Sequence, residues 1–298
     1  MALFSHLNGK SFMKRILISL LTLLTILNAG AFDDRTPSAR ASAMSNAFVA
    51  VANDAWAAYY NPAGLAQVNG MQVGAAYHRP FGYSFFNTVF GAAVIPLSAQ
   101  YGTAGVIVDN FGVNYKGETL SQETTVGIAH GIYLLNDIHT TLSVGYNLKY
   151  YYWKLGQSVE GRELGAAGTV GLDVGLMASI YKRTYLGVTV FNFNSPNIGV
   201  GGNSTLQRRI VVGAAYRPYS GLTTTLAMDK TINLPAMIEA GFEFNLMDVL
   251  DLRFGASTQP NRFSAGLGVH YAGFRLDYGF RNHPTLAETH SFSLMYAF

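Results

Sequence analysis

The 298-residue chain is 49% hydrophobic and only 12% charged, a balance that excludes the disordered class and lies outside ordinary water-soluble domains. It has no cysteine, which excludes thiol catalysis, thiolate metal sites and disulfides. A net charge of +3 is too small to point to nucleic acid as a partner.

Residues 16–26 form the one long apolar run, preceded by Met13, Lys14 and Arg15 and followed by Asn28, Ala29, Gly30 and Ala31. This is the pattern of a cleaved secretory signal, and its apolar core is too short to span a bilayer comfortably. Residues 1–31 are expected to be the signal, with the true start at Met13 and cleavage after Ala31.

Residues 32–70 form a second segment, rich in alanine and serine. Asn53 or Asp54 is placed to cap a short helix through Tyr60, Asn61-Pro62 to stop it, and Gly64 to allow a turn into the first strand. Such a narrow segment suits threading inside a barrel, where Arg40 and Asp54 would meet inward charges. The alternative is an amphipathic segment lying outside, in the periplasm.

From residue 71 onward the pattern has period two, broken by Gly, Pro, Asn and Asp. Seven strands are predicted over 71–79, 87–95, 101–109, 124–134, 140–151, 168–180 and 185–193. Seven more are predicted over 207–217, 222–231, 237–246, 250–258, 262–271, 274–282 and 289–298. Most approach the ~9–11 residues that a tilted strand needs to cross a bilayer.

Parity within these strands separates a membrane barrel from a soluble sandwich. Phe274, Leu276, Tyr278 and Phe280 share one face, and Arg275, Asp277 and Arg281 the other; Phe242 and Phe244 oppose Glu239 and Glu243; Leu252 and Phe254 oppose Asp251 and Arg253. A charge at the lipid midplane costs about 2–4 kcal/mol, so this segregation is what immersion in a bilayer would impose. The polar faces are also rich in glycine, where a sandwich would carry Lys and Glu in water. The fold class predicted is all-β, a 14-stranded antiparallel transmembrane barrel over 71–298, with 32–70 as an N-terminal hatch.

Connections alternate between tight and long, the long ones being 110–123, 153–167 and 194–206. With an even strand number, both termini are then expected in the periplasm of a diderm bacterium, and outer-membrane lipid is the expected surrounding. Glu239, Glu243, Asp251, Arg253, Arg275, Asp277 and Arg281 are expected to pair across strands inside the lumen and to hold the hatch. Phe81, Tyr83, Phe85, Phe86, Phe111 and Tyr115 form either a small apolar entrance or part of an interfacial girdle. A kink near Gly102 and Gly105, or at residues 110–112, is a candidate opening in the wall. The final Phe292, Leu294, Tyr296 and Phe298 resemble the C-terminal signature that barrels present to their assembly machinery.

Catalysis is not expected, and neither is a cofactor or metal. There is no G-x-S-x-G, no H-E-x-x-H and no histidine pair at ligand spacing. His270, with Ser264 and Ser257 on the same face, is the one arrangement reminiscent of a barrel lipase.

The run Asn53-Asp54-Ala55 followed by Tyr60-Asn61-Pro62-Ala63-Gly64-Leu65 resembles the N-terminal hatch of the FadL family of long-chain fatty-acid channels and its PorV-like relatives in type IX secretion. The motif match covers about thirty residues, and the layout of a hatch before fourteen strands extends over the mature chain. The resemblance implies passive uptake of a hydrophobic, fatty-acid-like ligand through a plugged lumen with lateral release. Its alternative implication is a non-conducting scaffold that binds secretion-system proteins. The long external loops that collect ligand in that family are much abbreviated here.

Overall fold

A computed structural model describes residues 31–32, 35–158, 161–202 and 204–298. The expected signal, apart from Ala31, lies outside them. Thr36–Phe298 form one compact unit.

Fourteen strands close into one antiparallel barrel. They are β1 (Gln72–Arg79), β2 (Phe86–Ser98), β3 (Gly102–Tyr115), β4 (Glu118–Asn136), β5 (Thr140–Leu155), β6 (Ala166–Ile180), β7 (Thr184–Phe191), β10 (Arg209–Tyr219), β11 (Leu222–Thr231), β12 (Met237–Met247), β13 (Leu250–Ser257), β14 (Arg262–Tyr271), β15 (Phe274–Arg281) and β16 (Thr289–Ala297). A two-stranded ribbon, β8 (Asn197–Ile198) and β9 (Ser204–Thr205), lies between β7 and β10 in the chain. Each barrel strand pairs with its neighbours in sequence, β7 with β10, and β16 returns to β1 from Ala297↔Gln72 to His290↔Arg79. That last pairing removes both sheet edges, which a bilayer requires because nothing there satisfies a free backbone group.

The side chains sort as the alternation dictates. Leu226 is 57% exposed on the outer wall and Leu294 47%, whereas Glu239 and Arg253, on inward faces, are 1% and 0%. An apolar outside around a charged inside is the inverse of a soluble protein and fits a bilayer.

The wall is taller on one side than expected. β3 and β4 each run about six residues past their predicted ends, so the expected loop 110–123 is strand apart from a turn at Lys116 and Gly117. Both turn residues have positive φ, 52° and 86°, the primed-turn geometry that matches strand twist, and glycine takes it without strain. The expected kink is absent: β3 pairs with both β2 and β4 from Thr103 through Val113, across Gly105 and residues 110–112. Its register slips against β2 between Pro96 and Ser98, and against β4 at Val113/Asn114.

Residues 36–68 run inside the barrel, and all but a few of their side chains are buried. They contain two short helices, α1 (Ala39–Ala43) and α2 (Ala57–Tyr60), and a 3-10 turn over Pro62–Gln67. Ser38 caps α1 by accepting from the Ala41 amide at 3.3 Å. α2 is a single turn whose approach is shaped by Asp54, which accepts from the Trp56 amide at 3.0 Å. Asn61 then opens the 3-10 turn, accepting from the Ala63 amide. Gly64 serves a different purpose from the one expected: a Cβ there would sit 1.9 Å from the Ala52 carbonyl, so close backbone approach demands glycine. The positive φ at the passage into β1 belongs to Gly70, at 75°.

Inward glycines of the wall receive this segment. A Cβ on Gly145 would stand 2.3 Å from the Pro62 carbonyl carbon, and one on Gly187 would stand 2.3 Å from the Val49 oxygen. The core therefore lies inside the barrel, where Met44, Phe48, Trp56 and Leu65 pack with Phe90, Val94, Ile107 and Met177 of the wall. Each such side chain contributes about 1.5–3 kcal/mol on burial.

Candidate functional site

Charge holds the inner segment to one side of the wall. Arg40 of α1 donates from Nε and Nη2 to both carboxylate oxygens of Glu243 at 2.7 and 2.8 Å, and from Nη1 to Asp54 and to Asn53, each at 3.0 Å. Arg253 continues the chain, donating to Glu243 at 2.6 Å, Asp277 at 2.8 Å and Asp251 at 2.8 Å. Arg275 stands 3.6 Å from Asp251 and 3.9 Å from Asp54. Burial opposes the Arg40 charge, yet Glu243 and Asp54 beside it raise its pKa above the ordinary guanidinium value. Five of the seven residues expected in the network thus meet here, joined by Arg40 and Asp54. Glu239 and Arg281 lie on the same inward faces, four residues nearer the end of the barrel opposite the chain termini, here called the loop end.

Neutral contacts pin the segment elsewhere. Asn61 donates from Nδ2 to the Val49 carbonyl at 2.9 Å and the Leu176 carbonyl at 3.1 Å, and Asn147 of β5 donates to the Ala58 carbonyl at 2.9 Å. The Tyr59 hydroxyl reaches the β2–β3 wall, 2.7 Å from the Val108 carbonyl and 3.1 Å from that of Gly91. Tyr60 packs edge-on against Phe48, with ring centroids 5.1 Å apart.

At the loop end, five of the six aromatic residues expected there converge. Phe85 lies 4.6 Å from Phe86, 5.0 Å from Tyr83 and 6.5 Å from Tyr115, and Phe86 is 5.6 Å from Phe111. Phe86 and Phe111 have inward parity, shared with the buried Phe90 and Asp109, so they line the mouth rather than a lipid-facing girdle. Phe81 departs from the group and packs on His283 at 5.3 Å. Below the mouth, Phe90 stands 5.9 Å from Tyr59, which is 6.2 Å from Trp56.

The opposite side of the lumen is ionic. Lys149 sits 2.6 Å from Asp173 and Arg209 3.5 Å from Asp229, and both cations lie over the Phe191 ring, at 5.6 and 4.3 Å. The interior thus has an aromatic side along β1–β3 and a charged side along β5–β11.

Phe292 and Leu294 point outward from β16, near Tyr296 and Phe298, whose rings are 4.7 Å apart. His270 Nδ1 is 3.7 Å from Asp251. Ser264 bonds instead to Ser45 at 2.7 Å and to the Ala43 carbonyl at 3.0 Å. Six residues of strand, roughly 20 Å, separate it from His270, so the two do not form a dyad. Among the described residues no cluster has the makings of a metal site.

No protein-family profile matches the chain, and no curated protein matches it by sequence. Solved structures do. The Ralstonia pickettii toluene transporter TbuX aligns at a TM-score of 0.62 and 11% identity, over 90% of this chain and 100% of that one. A Pseudomonas aeruginosa FadL homologue aligns at 0.57 and 10% identity, over 89% and 99%. The P. putida toluene transporter TodX aligns at 0.58 and 12%, over 86% and 98%. The chain has the FadL-type outer-membrane barrel fold.

Within the FadL-type fold, sequence reasoning missed Arg40 as the centre of the network, Tyr59 as a strut to the wall and Ser38 as a cap. A signal existed for each. Arg40 and Asp54 are the only charged residues between 36 and 70, and Ser38 precedes an alanine-rich turn.

Proposed function

We propose that the protein is an outer-membrane channel for passive uptake of hydrophobic small molecules, with its termini in the periplasm. The observation that carries this is the aromatic series on one side of the lumen, from Tyr83, Phe85, Phe86 and Phe111 at the mouth to Phe90, Tyr59 and Trp56 within. Support comes also from neighbours described as toluene transporters and a FadL homologue. The inner segment acts as the plug of the lumen. The cargo is apolar or fatty-acid-like, because the ionic side satisfies its own charges and leaves the aromatic side as the surface that favours a greasy solute. Lateral release would follow from transient opening of the β2–β3 wall, whose carbonyls Tyr59 touches.

A second reading, a scaffold that binds secretion-system proteins, is favoured by the tall β3–β5 wall, where β4 has 19 residues against 8 in β7. Mass spectrometry of small molecules bound to the protein extracted in mild detergent tests the two. A retained apolar ligand that is lost on Phe86→Ala/Phe111→Ala is expected. An empty lumen, with no uptake of N-phenylnaphthylamine into liposomes carrying the protein, would overturn the channel.

A further inference from the structure

We propose that the outer wall at the loop end holds a site for the phosphate of an anionic lipid headgroup, formed by Arg79, Tyr77 and Asn87 of β1–β2 with His290 and Tyr278 beside them. This rests on the outward face meeting a bilayer and not on the nature of the cargo. Alternation places Arg79 and Tyr77 outside, since His78 between them is 6% exposed and faces inward. Arg79 and His290 are register partners on adjacent strands, so two basic groups stand side by side on the lipid-facing surface.

The polar atoms around them are arranged to present these cations. Arg79 donates from Nη2 to the Tyr77 hydroxyl at 3.2 Å, and that hydroxyl donates to Asn87 Oδ1 at 3.1 Å. The guanidinium is thereby oriented with Nη1 and Nε left over, and the Asn87 amide keeps its own N–H groups. His290 Nδ1 is 2.7 Å from the Tyr278 hydroxyl, and its side chain is 44% exposed. The nearest carboxylate to His290 is Glu288 at 3.9 Å, and Arg79 has no carboxylate partner among the described residues.

An unpaired guanidinium on a membrane wall is costly unless it meets an anion at the interface. Just toward the bilayer from it lie rings that would flank acyl chains: Phe280 stands 5.7 Å from both His290 and Phe263, and Phe292 is 5.2 Å from Tyr278. A fork-shaped cation above an aromatic row matches a phosphate joined to hydrocarbon, because guanidinium binds phosphate through two parallel hydrogen bonds. Lys230, also outward at the loop end, differs in donating to the Leu234 carbonyl at 2.5 Å.

The test is native mass spectrometry of the full protein in detergent with equimolar dioleoyl phosphatidylglycerol and dioleoyl phosphatidylcholine. Wild type is expected to retain phosphatidylglycerol with roughly tenfold preference, the value of one charge-assisted contact. Arg79→Gln should bring the ratio to about one, while Lys230→Gln leaves it unchanged. Should Arg79→Gln fail to fold, Tyr77→Phe, which removes only the orienting hydroxyl, is read instead and should lower the preference about threefold. Equal retention of the two lipids by wild type, or a preference that survives both variants, would overturn the site. Release of phosphatidylglycerol by millimolar inorganic phosphate would assign it to the free ion and overturn the lipid reading.

Discussion

Arg40 and Glu243, 203 residues apart in sequence, form a two-pronged ion pair with both bonds under 3 Å and both side chains buried. The pair joins the inner segment to β12, and through Arg253 it reaches β13 and β15. Removing one partner of such a pair strands a buried charge, whereas removing both leaves only packing to restore.

Arg40→Met is therefore expected to cost about 3–5 kcal/mol, lowering the unfolding temperature in detergent by roughly 5–15 °C. Arg40→Met/Glu243→Met should recover much of that loss. Differential scanning of the three proteins in one detergent checks it, and a double variant no better than the single one would contradict the pairing argument.

The fit of the inner segment against glycine can be read optically. The chain has two tryptophans, so Trp153→Phe leaves Trp56, which is 1% exposed. In that background Gly145→Val should push Pro62 away from β5, redden the Trp56 emission and speed proteolysis of residues 36–68. Unchanged emission would mean that the segment does not depend on that contact.

Deleting residues 36–67 removes the plug itself. Single-channel conductance in a planar bilayer should rise above that of the full protein. An equal conductance would mean that the segment does not obstruct the lumen.

The outer wall offers a test of its solvent. Leu226→Arg places a charge on the apolar face midway along β11, at a cost of about 2–4 kcal/mol in phosphatidylcholine vesicles by urea titration. A water-facing wall would accept the same change with almost no loss.

At the mouth, Phe85→Ala and Phe111→Ala remove rings that touch Phe86 or its neighbours. Each should slow uptake of N-phenylnaphthylamine into proteoliposomes several-fold while leaving the unfolding temperature within a few degrees, as partly exposed positions allow.

The residues of β11 and β14 declare their own boundaries: Leu222–Thr231 and Arg262–Tyr271 are found where alternation and turn residues place them. Strand number, order and the lipid-facing side were legible because each depends on neighbours two positions apart, and a two-residue period carries that information locally. The ends of β3 and β4 were less legible, since residues 110–123 are polar enough to pass for a loop and become strand only because each half pairs with the other and with β2 or β5. Arg40 could be recognised as a lone cation in sequence but not as the partner of Glu243, and Gly145 as a small inward residue but not as the seat of Pro62. Those relations join positions tens to hundreds of residues apart. Ion pairing and close packing act over a few ångströms of space and carry no trace along the chain, so only closure of the barrel around its own N-terminal segment decides them.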